Sequence, residues 1–432
     1  MAPSNASLSP RSKHYEFLGP PGALFIILAV PTTAYSLYFG CSETSGGCLP
    51  PLDTLWPRIQ TSVQDKQWWL TLFDLEATYY YLAWYAFCVA AWLILPGDWV
   101  EGTLMRNGQR KQYKINAFST LLLTLGLLSG WIYRFGPQSF TFIHDKWIGF
   151  VTATFLMSVF QALYVYLMSF QGDRLLALGG NSGNIIYDFF IGRELNPSIG
   201  WFDIKTFNEL RPGLILWLLI DISMACEQAV RRGGMITDSM ILVLLFQGLY
   251  VADGLYNEPD ILTQMDITTD GFGYMLSIGD LCWVPTVYSL QARYLVFNQV
   301  ELGPAWTAAI VAANFLGYYI FRTANAEKQD IRSGRNPKNL QTMPTERGTK
   351  LLISGWWGVS RHPNYLGDLL MALAWSLPTG FNTPVTYFYV MYFTVLLIHR
   401  QRRDDAACSL KYGKDWDKYC KIVPYRIFPY IY

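Results

Sequence analysis

LLISGWWGVSRHPNYLGDLLMALAWSLPTGF (Leu351–Phe381) and HRQRRDDAACSLKYGKDWDKYCKIVPYRIFPYIY (His399–Tyr432) are separated by one apolar run, Pro384–Ile398. Both flanking pieces are dense in Arg, Lys, His, Asn, Asp, Tyr and Trp, in a chain that is otherwise apolar. They are read as meeting at one membrane surface, or in a cavity just inside it, and as forming an active site there.

Working outward, 52% of the 432 residues are hydrophobic, 16% aromatic and only 15% charged. Soluble domains carry about 25% charged residues, so the composition is that of a membrane protein. A spanning helix needs about 20 mostly apolar residues. Runs of this kind lie at Gly22–Phe39, Ala77–Leu95, Ala117–Tyr133, Trp147–Phe170, Gly213–Gln228, Met240–Ala252, Tyr274–Tyr294, Ala305–Phe321, Tyr365–Phe381 and Pro384–Ile398. The expected fold class is all-α: a polytopic integral membrane protein with about ten transmembrane helices. The first run carries no small-residue cleavage site and is read as a span, not a signal peptide.

Loop cations set the orientation. Arg106, Arg110, Lys111 and Lys114 follow the second run, and Arg322 to Lys350 contain seven Lys and Arg after the eighth. With a cytoplasmic N-terminus both connectors, and the basic tail, fall on the cytoplasmic side; Arg231–Arg232 falls on the other and is the exception. A net charge of +1 argues against a nucleic-acid partner, since phosphate-binding surfaces carry a strong basic excess. Histidines and cysteines are scattered, so no metal is expected. Cys41 and Cys48 share a short Gly/Ser-rich loop and are either bridged, if that loop is lumenal, or two unpaired thiols. The longest polar insert, Gln171–Pro212, is aromatic enough to be packed.

Ionisable residues at membrane depth are costly and hence functional candidates. Asp221 and Glu227 lie in the fifth run, Asp253 closes the sixth, and Asp280 sits in the seventh. Each is also explained as a helix-end acid meeting water or a helix N-terminus. With Tyr250, Gln247 and Trp283 they imply a polar-lined pocket. Lys328 and Arg332, four apart, share a helix face if the helix continues and can clamp a phosphate; taken alone, the pair is better read as a basic membrane anchor. Asp404, Cys408, Lys411 and Tyr412 fall at i, i+4, i+7 and i+8 and form one polar stripe. Pro363 is placed to open a helix, which puts Asn364 and Tyr365 beside first-turn amides that favour an anion. Trp356 and Trp357 are either an interfacial belt or a stacking wall. Such a set suits a dinucleotide, although GxGxxG is absent and no Rossmann domain is supported.

SGWWGVSRHPNYLGD, GNIIYDFFIGRELNP and HRQRRDDAACSLKYG with WDKYCKIVPYRIFPYIY are similar to the motifs of the sterol reductases, a family that includes the membrane part of the lamin B receptor. Within it the chain looks most like the C-14 reductases, of the fungal kind. The resemblance implies an NADPH-dependent enzyme of the endoplasmic-reticulum membrane, continuous with the outer nuclear envelope, that reduces the C-14/C-15 double bond of a Δ8,14-sterol in ergosterol-type synthesis. It implies cofactor contacts at Lys328, Arg332, Leu352, Trp357, Asn364, Tyr365, Asp404, Cys408, Ser409, Leu410, Lys411, Tyr412 and Tyr419. Residues 1–212 are then an N-terminal membrane half of about four spans plus a packed loop, and residues 213–432 the catalytic half with NADPH and sterol pockets. Partners are a sterol and membrane lipid. An unactivated alkene must be protonated before it takes hydride, and Asp253 and Tyr250 are the expected donor or relay. The other readings are a C-7 or C-24(28) reductase of the same family, a transporter, and a structural nuclear-envelope protein. The last is disfavoured because nothing before Gly19 can form a chromatin-reading domain.

Overall fold

The computed structural model describes residues 8–41 and 52–432; Cys48, and with it the expected cysteine pair, lies outside them. The chain is helical almost throughout. Its principal helices are α1 (Gly19–Gly40), α2 (Leu75–Ile94), α3 (Ala117–Phe135), α4 (Trp147–Met168), α5 (Leu214–Arg231), α6 (Asp238–Tyr256), α7 (Gly303–Arg332), α8 (Pro363–Ser376), α9 (Phe388–Tyr412) and α10 (Lys414–Ile422). Three two-stranded antiparallel hairpins are the only sheets among the described residues. The chain is a polytopic membrane protein: seven helical stretches among these residues are long and apolar enough to span a bilayer.

The remaining three apolar runs differ for stated reasons. The seventh breaks into Tyr274–Ile278, a wide π turn over Gly279–Trp283, Val284–Val287 and Leu290–Phe297. Pro285 lacks the amide that a continuous helix needs. A second π turn, Glu209–Gly213, contains Pro212 and leads into α5. The two wide turns touch: a Cβ on Gly213 would lie 2.0 Å from the Asp280 carbonyl oxygen. The ninth run makes the 14-residue α8, and the tenth continues through the charged run of the tail as the 25-residue α9.

Two compact units partition the chain: residues up to Ile236 with Gln247–Gln299, and Thr237–Phe246 with Val300–Tyr432. In the first, a core of Ala23, Ala162, Tyr187, Phe190, Tyr274 and Cys282 joins α1, α4, the short helix Ile185–Ile191 and the broken seventh run. This accounts for the Gly/Asn-rich insert being packed. Asn184 caps Ile185–Ile191, and the Asp188 carboxylate accepts from the amides of Ser182 and Gly183, so backbone groups that a helix would have paired are met locally. Between α2 and α3 the basic connector is not a loop but a hairpin, Asp98–Leu104 with Arg110–Ile115. Its Lys111 pairs with Asp203. Arg231 is bonded to Glu227 at 2.7 Å and Arg232 donates to Gln299, so the orientation exception is a partly neutralised pair.

In the second unit the Asp238 carboxylate accepts from the amides of Leu302 and Gly303, both at 2.9 Å, and so satisfies donors at the start of α7. α7 then crosses α8 through a glycine pair. A Cβ on Gly367 would stand 2.6 Å from the Gly317 carbonyl oxygen, and one on Gly317 would stand 2.8 Å from the Gly367 carbonyl oxygen. The two backbones are in direct contact there.

Candidate cofactor site

The last turns of α7 carry Ala324, Glu327, Lys328 and Arg332. Glu327, buried, accepts the Trp356 amide at 3.0 Å and the Lys338 ammonium at 3.1 Å, and thereby holds the turn that presents the two tryptophans. Gly355 in that turn has φ 64°, and a Cβ would press on Glu327; a side chain is excluded on both counts. Trp357 is 6% exposed. Its indole N–H donates to the Ala324 carbonyl at 2.8 Å, and the Lys328 ammonium lies 4.6 Å from its ring centroid. A tryptophan fixed at its N–H and capped by a cation is no free-standing belt residue.

The turn Ser360–Asn364 leads into α8. The His362 ring stacks on Tyr365 at 4.8 Å and 16°, and the Tyr365 hydroxyl donates to Asp404 Oδ2 at 3.2 Å. Burial, then Lys328, then Arg361 push the His362 imidazole down to about 3, so it is neutral at physiological pH and is a poor proton donor. Burial raises the Asp404 carboxyl from its ordinary value, while the Lys328 ammonium and the Tyr365 bond pull it back. Asp404 is thus the counter-charge of a half-buried lysine. Further along the same side, Cys408 and Tyr412 pack with Trp416, Tyr419 and Leu351. Burial pushes the Cys408 thiol up and keeps it from acting as a thiolate.

The expected set is therefore gathered in part. Lys328, Trp357, Tyr365 and Asp404 form one linked constellation, with Asn364 in the same turn; Cys408, Tyr412 and Tyr419 form an aromatic flank. Leu352 and Tyr419 are buried. Ser409, Leu410, Lys411 and Arg332 are exposed, Leu410 at 89%. Two side-chain oxygens of the turn, Ser360 Oγ and Asn364 Oδ1, are buried and have no hydrogen-bond partner among the described residues. Such groups are costly unless something bonds them. A cation over an indole, a stacked imidazole–phenol pair and orphaned acceptors fit a dinucleotide of flat rings and phosphates.

Tyr250 and Asp253 belong to the other unit. The Tyr250 ring is 6.1 Å from that of Trp217, whose indole N–H donates to Gln247 at 2.8 Å; Asp253 Oδ1 accepts from Asn257 at 3.4 Å. Asp221 is fully buried, and neither of its carboxylate oxygens has a hydrogen-bond partner among the described residues. His144, Asp145 and Glu227 place ligand atoms within 4.8 Å of one another, though Glu227 is engaged by Arg231. Among the ion pairs that sequence reading missed are two that bear on these sites. Arg211 and Glu258 meet at 2.8 Å, both buried. Arg361 meets Asp405 at 3.2 Å, behind the turn. Each pair joins residues more than forty positions apart, and no local pattern announces it.

These features define a multi-span helical membrane protein in which the last three helices and the end of α7 gather a cluster of aromatic rings around the Lys328 ammonium. Residues 11–432 match the Ergosterol biosynthesis ERG4/ERG24 family, and the chain belongs to that family. It is 50% identical to Delta(14)-sterol reductase erg24 of Schizosaccharomyces pombe, over 97% of each protein. It is 45% identical to Delta(14)-sterol reductase ERG24 of Candida albicans, over 99% of this chain and 100% of that one. It is 43% identical to Delta(14)-sterol reductase LBR of Gallus gallus, over 96% of this chain and 64% of that protein.

Proposed function

We propose that the chain is an NADPH-dependent oxidoreductase that reduces the C-14/C-15 double bond of a Δ8,14-sterol in the endoplasmic-reticulum membrane. The observation that carries the cofactor half of this reading is the linked set Lys328–Trp357 and Tyr365–Asp404, with orphaned acceptors in the turn between them. Kinship with proteins named Delta(14)-sterol reductases supports the choice of bond.

Trp357 and the His362–Tyr365 stack offer flat faces to the rings. Lys328 and the exposed Arg332 meet phosphate, and Asp404 holds Lys328 and Tyr365 in place. Bound NADPH supplies the hydride. The alkene accepts it only as a cation, so a proton adds first at C-15 and leaves a tertiary cation at C-14. Tyr250 and Asp253 give or relay that proton. His362, neutral throughout the working range, keeps its face for stacking.

Membranes carrying the protein, given NADPH and a Δ8,14-diene, a Δ7 sterol or a Δ24(28) sterol, are expected to reduce the diene. Reduction of only the second or third overturns the choice of bond. Arg332→Ala is expected to raise the KM for NADPH about tenfold, near 1.4 kcal/mol, while the KM for NADH stays within about twofold. Equal effects on both cofactors reject Arg332 as the 2′-phosphate partner.

A further inference from the structure

The turn that delivers Asn364 and Tyr365 is gripped from behind. The amides of Arg361 and His362 donate to the carbonyls of Tyr425 and Arg426, each at 2.9 Å. The segment Tyr425–Tyr432 closes on itself, because the Arg426 and Ile427 amides donate to the Tyr432 carbonyl at 2.7 and 3.1 Å. The Tyr432 hydroxyl accepts from Arg426 Nη1 at 3.1 Å and donates to Gln401 Oε1 at 3.2 Å, and the Arg402 side chain also bonds it. Asp405, one helical turn beyond the fully buried Gln401 on α9, holds the Arg361 guanidinium at 3.2 Å and stands 3.9 Å from that of Arg426. The side-chain ties of Tyr432 and Arg361 reach α9 at Gln401 and Asp405, and Arg361 Nη1 also donates to Cys420 Sγ on α10 at 2.6 Å. Asp404 is the residue preceding Asp405, turned about 100° round α9, and it accepts from Tyr365. The turn is thus held between two faces of one rigid rod.

We propose that Arg361, Gln401, Asp405, Arg426 and Tyr432 form a positioning clamp that sets the reach of Asn364 and Tyr365 toward the dinucleotide, with none of the five touching it. The proposal rests on the cofactor reading above and extends it to residues that no motif argument assigns. Arg361 is buried, and it has only Asp405 as a carboxylate partner among the ion pairs of the described residues. A buried guanidinium needs that partner, so the charge on Asp405 fixes where the turn sits. Tyr432 ties the far side of the same turn to the same helix, so the two attachments act as one network.

Tyr432→Phe and Asp405→Asn remove the two attachments with almost no change of volume. Measured on the full chain in lipid nanodiscs, each is expected to raise the KM for NADPH about tenfold. Saturated kcat and the KM for the sterol should change by less than about threefold. The double variant is expected to fall short of the product of the single effects, as coupled sites do. Asp405→Glu, which keeps the charge, is expected to recover part of the loss. Should Asp405→Asn fail to fold, Gln401→Met probes the same stripe without touching a charge and is expected to shift the KM for NADPH in the same direction. A lowered melting temperature with all three kinetic constants unmoved overturns the clamp and leaves a purely structural role. So does a fall in kcat with the KM for NADPH unmoved. Trp357→Ala, run alongside, separates the two layers. If it raises the KM for NADPH and the clamp variants do not, the clamp alone is wrong; if neither does, the cofactor reading falls and the clamp with it.

Discussion

Asp404→Ala is expected to lower kcat/KM by about a hundredfold or more while the protein still inserts in the membrane in normal amount. Asp404 accepts the Tyr365 hydroxyl at 3.2 Å and is the opposing charge nearest in effect to Lys328. Removing it leaves a half-buried ammonium without its counter-ion and frees the phenol that stacks on His362. Losing a hydrogen bond to a charged group costs about 1.5–3 kcal/mol, and the charge lost from beside Lys328 adds to that, so at 1.4 kcal/mol per decade the fall is about two powers of ten. Asp404→Asn keeps an acceptor for Tyr365 but not the charge, and should fall between. The assay is sterol reduction by membranes normalised for inserted protein. Activity at the unmodified level in Asp404→Ala would remove α9 from the site altogether.

Glu258→Ala is expected to destabilise the protein by about 3–5 kcal/mol, the range for stripping one member from a buried ion pair. Glu258 Oε1 receives Arg211 at 2.8 Å, and Oε2 receives the amide of Ala117, the first residue of α3, at 2.8 Å. Arg211 is 1% exposed and also donates to Asn116 at 2.7 Å. One carboxylate thus serves a guanidinium and a helix start together, and its loss strands both. Paired replacement, Arg211→Met with Glu258→Leu, should be less harmful than Glu258→Ala alone, because no charge is then left buried. Thermal unfolding in detergent reads the difference. A double variant less stable than the single one would show that the pair is net stabilising, against this expectation.

What could be read from the sequence was chemistry set against a greasy background. Lys328, Trp357, Tyr365 and Asp404 stand out because polar and aromatic groups are rare in an apolar chain, and helical spacing alone put Asp404, Cys408 and Tyr412 on one side. Spacing put Lys411 on the same stripe, yet it faces outward, and Ser409 and Leu410, which entered only with the family motif, are exposed as well. Proline at 285 was visible, but that it opens a π turn against a second one at Pro212 depends on tertiary contact with Gly213. Arg211 with Glu258, and Arg361 with Asp405, are long-range pairs whose members look like ordinary loop or helix-end charges. Arg231–Arg232 counted against the expected orientation, and their partners, Glu227 and Gln299, are named only by the fold.

The glycine contact between α7 and α8 has a consequence for how the two helices can evolve. Where Gly317 and Gly367 meet main chain to main chain, no side chain acts as a spacer, so the approach of α7 to the start of α8 is fixed by the thickness of the polypeptide itself. Substitutions elsewhere along the two helices can then change their apolar faces while this ruler stays the same length.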